Sequence, residues 1–308
     1  MSIADFRLEG LVPATHTPMH EDGSIAPEKI HAQTDILARQ GATGVFVNGS
    51  TGEGVSLTSQ ERRTLAEEWS RQAPLHGLKL IVHVGHTSNL EARALAEHAA
   101  SIGADAVSTM APFYFRPSNP KALVDWLVPV AEGCSEIPFY FYDIPSMTGV
   151  RVDMLKLAQE ASERIPNFRG IKYTSDDMVS LQELLHFRNG SLDILFGTDE
   201  CLLAALALGV RGAVGSSYNF ASELYLKIIE AFRAGDFEKA RALQYQSVRL
   251  IRTIASYGYL PAAKRVMGLR GCDCGPVRAP LENLTPEKVA QLMADVKALG
   301  VPSFESWK

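Results

Sequence analysis

A chain of 308 residues, 46% hydrophobic and 21% charged, is long enough to bury one large core or two medium ones. Its formal charge of -5, with both signs interspersed, supplies no basic field that would hold a nucleic-acid backbone. Asp5, Arg7 and Glu9 interrupt any leader-like apolar core, the longest apolar run (Cys201 to Val210) is too short to span a bilayer, and four scattered cysteines form no disulfide framework, so a cytoplasmic protein is expected.

Eight short apolar, β-branched or aromatic runs follow one another along the chain. They are LVPAT (Leu11 to Thr15), GVFVNG (Gly44 to Gly49), LKLIVHVG (Leu78 to Gly85) and AVSTMAP (Ala106 to Pro112), then PFYFYDIP (Pro138 to Pro145), FRGIKYT (Phe168 to Thr174), DILFGTD (Asp193 to Asp199) and GAVGSS (Gly212 to Ser217). Segments of helical periodicity separate them, such as SQERRTLAEEWSRQ, opened by Thr58 and Glu61 as a capping box, and NLEARALAEHAASIG. Strands apolar on both faces, alternating with helices, predict an α/β fold whose simplest closure is a (β/α)8 TIM barrel; an open doubly wound sheet is the alternative. After Gly215 only helical spacing remains. The expected organisation is a catalytic barrel over residues 1–230 and a C-terminal helical extension over 231–308, with no linker between them.

A barrel places its chemistry on the loops at the C-terminal strand ends, and the polar residues of this chain gather there. Ser50 and Thr51 follow the second strand and Tyr114 the fourth; Tyr142 ends the fifth; Lys172 and Thr174 end the sixth; Asp199 and Glu200 follow the seventh, and Ser216 the eighth. In FRGIKYT, alternation puts Phe168, Gly170 and Lys172 on one face, so that with Ile171 against the helices the ammonium points into the barrel mouth. A lysine desolvated there has a lowered pKa and can attack a carbonyl to form an imine, which makes or breaks a neighbouring carbon–carbon bond without a metal. The alternative for this residue is a solvated lysine at a strand end. Tyr142, one strand away, is placed to relay protons, or is an aromatic of the barrel interior. The glycines of GSTGE bring backbone amides close and Ser50 and Thr51 add hydroxyls, a seat for the carboxylate of a 2-oxo acid; the other reading is a tight turn braced by Glu53.

The blocks FVNGSTGEG, ERRTLAEEW, APFYFRP, PFYFYDIPSMTGV, GIKYTSDD, FGTDE and AVGSSYN resemble those of the N-acetylneuraminate lyases, within the class I pyruvate-dependent aldolases that also include dihydrodipicolinate synthase. The resemblance runs from Gly10 to about Leu299. It implies reversible cleavage of N-acetylneuraminate to N-acetylmannosamine and pyruvate, with Lys172 as the Schiff-base lysine, Tyr142 as the catalytic tyrosine, and Ser50 with Thr51 at the pyruvate carboxylate. It also implies a homotetramer, in which Tyr114 enters a neighbouring subunit's site to complete a relay from Ser50 through Tyr142.

Synthases of that family carry an arginine where YDIPSMTG has Met147, which argues against a second substrate carboxylate. Asp199, Glu200 and Ser216 match the positions that contact the polyhydroxyl chain in the lyases, and Thr174 and Gly197 fit the same pocket. Asp143 stands where asparagine or histidine is familiar, Ser217 where threonine is. A related aldolase or dehydratase for another 2-oxo sugar acid, or a non-catalytic sugar-acid sensor, are the alternatives; the Lys172 and Tyr142 pair speaks against the sensor. His83 and His86 have metal-compatible spacing but no third ligand in sequence, and C-x-C at Cys272 and Cys274 is weak evidence for zinc. No metal and no cofactor are expected, and the expected partners are the sugar acid and pyruvate, not nucleic acid or membrane.

Overall fold

The computed structural model of the chain describes residues 3–301. Its first half runs β1 (Gly10–Pro13), α1 (Ile30–Arg39), β2 (Gly44–Val47), α2 (Ser59–Gln72), β3 (Lys79–His83), α3 (Asn89–Ser101), β4 (Ala106–Met110) and α4 (Pro120–Glu132). The second half continues through β5 (Phe139–Asp143), the single turn α5 (Pro145–Thr148), α6 (Met154–Arg164), β6 (Phe168–Tyr173), α7 (Met178–His186), β7 (Asp193–Phe196), α8 (Leu202–Leu208) and β8 (Gly212–Gly215). Neighbouring strands are parallel and follow chain order from β2 to β8, and β8 pairs with β1. An isolated parallel bridge, Ala14 with Phe46, brings β1 against β2 and closes the (β/α)8 barrel that the strand rhythm predicts.

Alternation along each strand sorts side chains into two packing layers. Val45, Val47, Leu80, Val82, Phe139 and Phe141 pack outward against the helices. Phe46, Ile81, Ala106, Tyr140 and Tyr142 fill the interior. Burying side chains of this size stabilises by about 1.5–3 kcal/mol each, which fixes strand phase because a one-residue slip would exchange the layers.

The phase changes once, in β6. Phe139 pairs with Phe168, but Tyr140 pairs with Gly170, so Arg169 is an extra residue in a bulge. Phe168 therefore lies in the outer layer with Ile171, not on the face of Lys172. Gly170 and Lys172 keep the inward face; the expected alternation holds only above the bulge.

Helix starts follow local capping chemistry. Thr58 and Glu61 form the expected capping box on α2, and Ser88, Asn119, Asp153 and Asp177 cap α3, α4, α6 and α7 through their side chains. Beyond β8 come α9 (Tyr218–Arg233), α10 (Phe237–Ala255), α11 (Tyr259–Gly268) and α12 (Pro286–Ala298). Their apolar faces make a separate cluster that joins the barrel at Leu11, Leu202 and Ala213. Among the described residues no helix is long and apolar enough to cross a membrane.

Candidate active site

Lys172 lies beside Tyr142 across the β5–β6 ladder, with its Nζ 3.5 Å from the phenol ring's centroid and 5.0 Å from that of Phe46. The residue is 4% exposed. Burial among rings, partly offset by the charge of Asp199, brings its ammonium pKa down to about 7, so a large share of the amine is unprotonated at neutral pH.

Tyr142 is equally buried, and burial pushes its phenol up to about 12 against the pull of the nearby Ser50 and Thr174 hydroxyls. It rests protonated. Thr174 Oγ1 makes no well-formed hydrogen bond here although it is buried. Gly197 leaves it room: a Cβ there would stand 1.9 Å from that oxygen. His83 packs edge-on to Tyr142 with ring centroids 5.6 Å apart, and burial holds it neutral.

The GSTGE turn follows β2. Asn48 and Glu53 both adopt positive φ, 61° and 55°, and Thr17 Oγ1 donates to Gly52 O at 2.6 Å. Ser50 and Thr51 are partly exposed at its tip. Behind it lies His16, lowered to about 3 by burial and by the charge of Lys264, against the pull of the Thr51 backbone. Glu53 is buried and accepts from Lys264 Nζ at 2.8 Å and from the Arg278 backbone N–H at 2.9 Å. The turn braced by Glu53, one of the two readings of this loop from sequence, is thus present.

On the far side, Asp199 Oδ2 accepts from the Ser217 N–H at 2.9 Å and from its hydroxyl at 2.5 Å, while Oδ1 is buried with no well-formed hydrogen bond among the described residues. Burial raises this carboxyl to about 6. Gly215 makes the approach possible, since a Cβ there would lie 1.8 Å from Oδ1. Two lobes of a cleft, about 300 and 340 Å³, meet at Gly197 and Glu200, in the size range of small-molecule sites. Ser216 and Tyr259 line the first lobe, their hydroxyls 2.7 Å apart; Thr174, Ser146 and Arg151 line the second.

Of the residues expected from sequence, Ser50, Thr51, Tyr142, Lys172, Thr174, Gly197, Asp199, Glu200 and Ser216 all lie at this end of the barrel. Tyr114 does not join them within the chain: it is 77% exposed and stacks edge-on with Phe115. Tyr259, Arg151 and Lys264 lack any strand-end signature, and the strand rhythm passes over them. Asp143 lies just above Tyr142, raised to about 7 by burial and held back by Arg151. Among the described residues no group of three or more His, Cys, Asp or Glu could hold a metal, and Cys272 and Cys274 are buried free thiols. At the opposite end, cavities of about 370 and 540 Å³ are lined by arginines, among which Arg7 donates to the carbonyls of Gly190 and Leu192 and Arg169 to those of Phe6 and Ser191.

The sequence profile of the dihydrodipicolinate synthetase family matches residues 7–299. The chain belongs to the dihydrodipicolinate synthetase family. Within it, the chain is 40% identical over 314 aligned positions to the N-acetylneuraminate lyase of Rattus norvegicus, covering 100% of this chain and 98% of that one. It is 38% identical to the Homo sapiens N-acetylneuraminate lyase at the same coverage. The Proteus mirabilis N-acetylneuraminate lyase structure superposes with a TM-score of 0.94 at 38% identity, covering 96% of this chain and 100% of the other. For this family member, the site is therefore to be read as that of an imine-forming lyase.

Proposed function

We propose that the chain catalyses the reversible aldol cleavage of N-acetylneuraminate to N-acetylmannosamine and pyruvate through an imine on Lys172. The observation that carries this reading is the Lys172 amine, buried against Tyr142 with its pKa near 7, at the same end of the barrel as a cleft lined by Asp199, Glu200 and Ser216. Full-length identity to N-acetylneuraminate lyases supports the substrate.

On this reading the reaction proceeds as an imine-mediated aldol cleavage. The free amine of Lys172 attacks C2 of the open-chain sugar acid while the carboxylate rests on Ser50 and Thr51. Tyr142, protonated at rest, gives its proton to the carbinolamine hydroxyl, which leaves as water and yields the iminium. The phenolate then takes the C4 hydroxyl proton as the C3–C4 bond breaks. Its electron pair flows to the iminium nitrogen, leaving N-acetylmannosamine and an enamine. Tyr142 returns a proton to C3, and water releases pyruvate and the free amine. Ser50 and Thr174 hydroxyls beside the phenol stabilise its brief charge, and Glu200 and Ser216 take the hydroxylated tail.

In this reading Tyr114 completes the relay from a neighbouring subunit of a homotetramer, consistent with its exposure in the single chain. Borohydride reduction in the presence of pyruvate is the test. The expected result is an irreversible adduct on the peptide containing Lys172, together with pyruvate release from N-acetylneuraminate in preference to other 2-oxo sugar acids. An unmodified Lys172 in an active enzyme would overturn the mechanism, and preference for another sugar acid would overturn the substrate.

A further inference from the structure

The loop that follows β2 is held from behind by the other end of the chain. Glu53 and Lys264, 211 residues apart, form an ion pair with both side chains essentially without solvent exposure. Lys264 also donates to Pro276 O, and the second Glu53 oxygen accepts from the Arg278 N–H. Glu53 takes this position with φ at 55°, a left-handed conformation that a non-glycine residue adopts at a cost. Within the turn its backbone N–H bonds Ser50 O and its carbonyl accepts from the Ser56 N–H, while its carboxylate is held by Lys264 and the Arg278 backbone of the C-terminal segment. A buried charge pair is seldom a gain in stability over apolar packing, so its use at a strained turn beside the substrate seat calls for another reason.

We infer that Lys264 and Glu53 are positioning residues, which act through the strained turn to hold Ser50 and Thr51 in the geometry that receives the pyruvate carboxylate. This rests on the reading of the GSTGE turn as the pyruvate seat. The lysine fixes the carboxylate, the carboxylate fixes the turn, and the turn presents its hydroxyls and amides; neither member of the pair touches substrate. The pair should therefore govern how much pyruvate is needed to form the imine, and leave the rate of imine reduction at saturation to Lys172 and Tyr142.

The test measures borohydride trapping against pyruvate concentration for the native protein, Lys264→Met and Glu53→Gln. Lys264→Met is expected to raise half-saturating pyruvate about tenfold or more while the limiting trapping rate stays within about threefold. Glu53→Gln keeps hydrogen-bonding atoms and removes only the charge, so a smaller rise of about threefold is expected. Should Lys264→Met fail to fold, Glu53→Gln decides alone. A lowered Tm with unchanged half-saturation in the folded variants would assign the pair to stability only and overturn the inference. Absence of a pyruvate adduct in the native protein would overturn the functional reading itself, and this inference with it.

Discussion

Lys172 has the clearest signature of any residue in this chain because two requirements meet in it: a strand phase that turns it inward and surroundings that strip its water. Its amine becomes nucleophilic as pH rises through about 7, since the neutral form grows above the folded pKa. The initial rate of pyruvate trapping should therefore rise across that pH and level off above it, measured by adduct yield after short borohydride pulses. Because the folded pKa is depressed below the ordinary lysine value, the unfolded chain binds more protons between the two, and this group makes the native state more stable as pH climbs from about 7 toward that value. Glu200 provides a contrasting test. Asp199 is committed to Ser217 and its removal would disturb structure, whereas Glu200 lines both lobes of the cleft. Glu200→Ala should lower kcat/KM for N-acetylneuraminate by roughly tenfold to a hundredfold and barely affect a short 2-oxo acid, if the lost bond is an ordinary charged one. Equal losses on both substrates would make Glu200 a support of the barrel. Lys172 and Tyr142 could be placed at this end of the barrel because each lies at the end of a recognisable strand, and the acidic pair because it follows one. Tyr259 was not, since it opens a helix where nothing local distinguishes a cleft-lining tyrosine from a packed one.

Among the elements, the strand starts could be read to within a residue, because short runs apolar on both faces stand out between helical segments, whereas the runs overshoot the strand ends by one to three residues. The β6 bulge escaped that reading. A single extra residue changes no composition and leaves the apolar run continuous, so FRG looks like uninterrupted alternation while Arg169 is displaced. The bulge has its own chemistry: Arg169 donates to Phe6 O and Ser191 O and satisfies carbonyls from two other segments. Arg169→Ala leaves those carbonyls without their donor and should lower stability by about 1–3 kcal/mol, measured by denaturant unfolding. Trapping at Lys172 should persist, as the phase above the bulge is set by Gly170 and its neighbours. Loss of trapping in a folded Arg169→Ala protein would show that the two ends of β6 are coupled.

At the scale of the molecule, the exposed Tyr114 and Phe115 make the β4–α4 loop an apolar projection. On the proposed reading, in which Tyr114 serves a neighbour's relay, Tyr114→Phe should reduce turnover while leaving pyruvate trapping largely intact, and dilution below the assembly threshold should do the same. Sedimentation and activity measured over one concentration series decide it; full activity in a monomer would remove the shared relay. The barrel was legible from eight repeats of one rhythm, but the links that tie the last helices to the GSTGE turn were not, because pairs so far apart in sequence leave no local pattern. Those links also set an order of events during synthesis. The strand pairing that closes the barrel needs Gly212–Gly215, and the brace on Glu53 needs Lys264 and the Arg278 backbone, so contacts that must span more than two hundred residues form last. A nascent chain still short of residue 278 would carry a barrel lysine but an unbraced turn beside it. The proposed pyruvate seat would not be ordered beside the amine until the chain through residue 278 had left the ribosome.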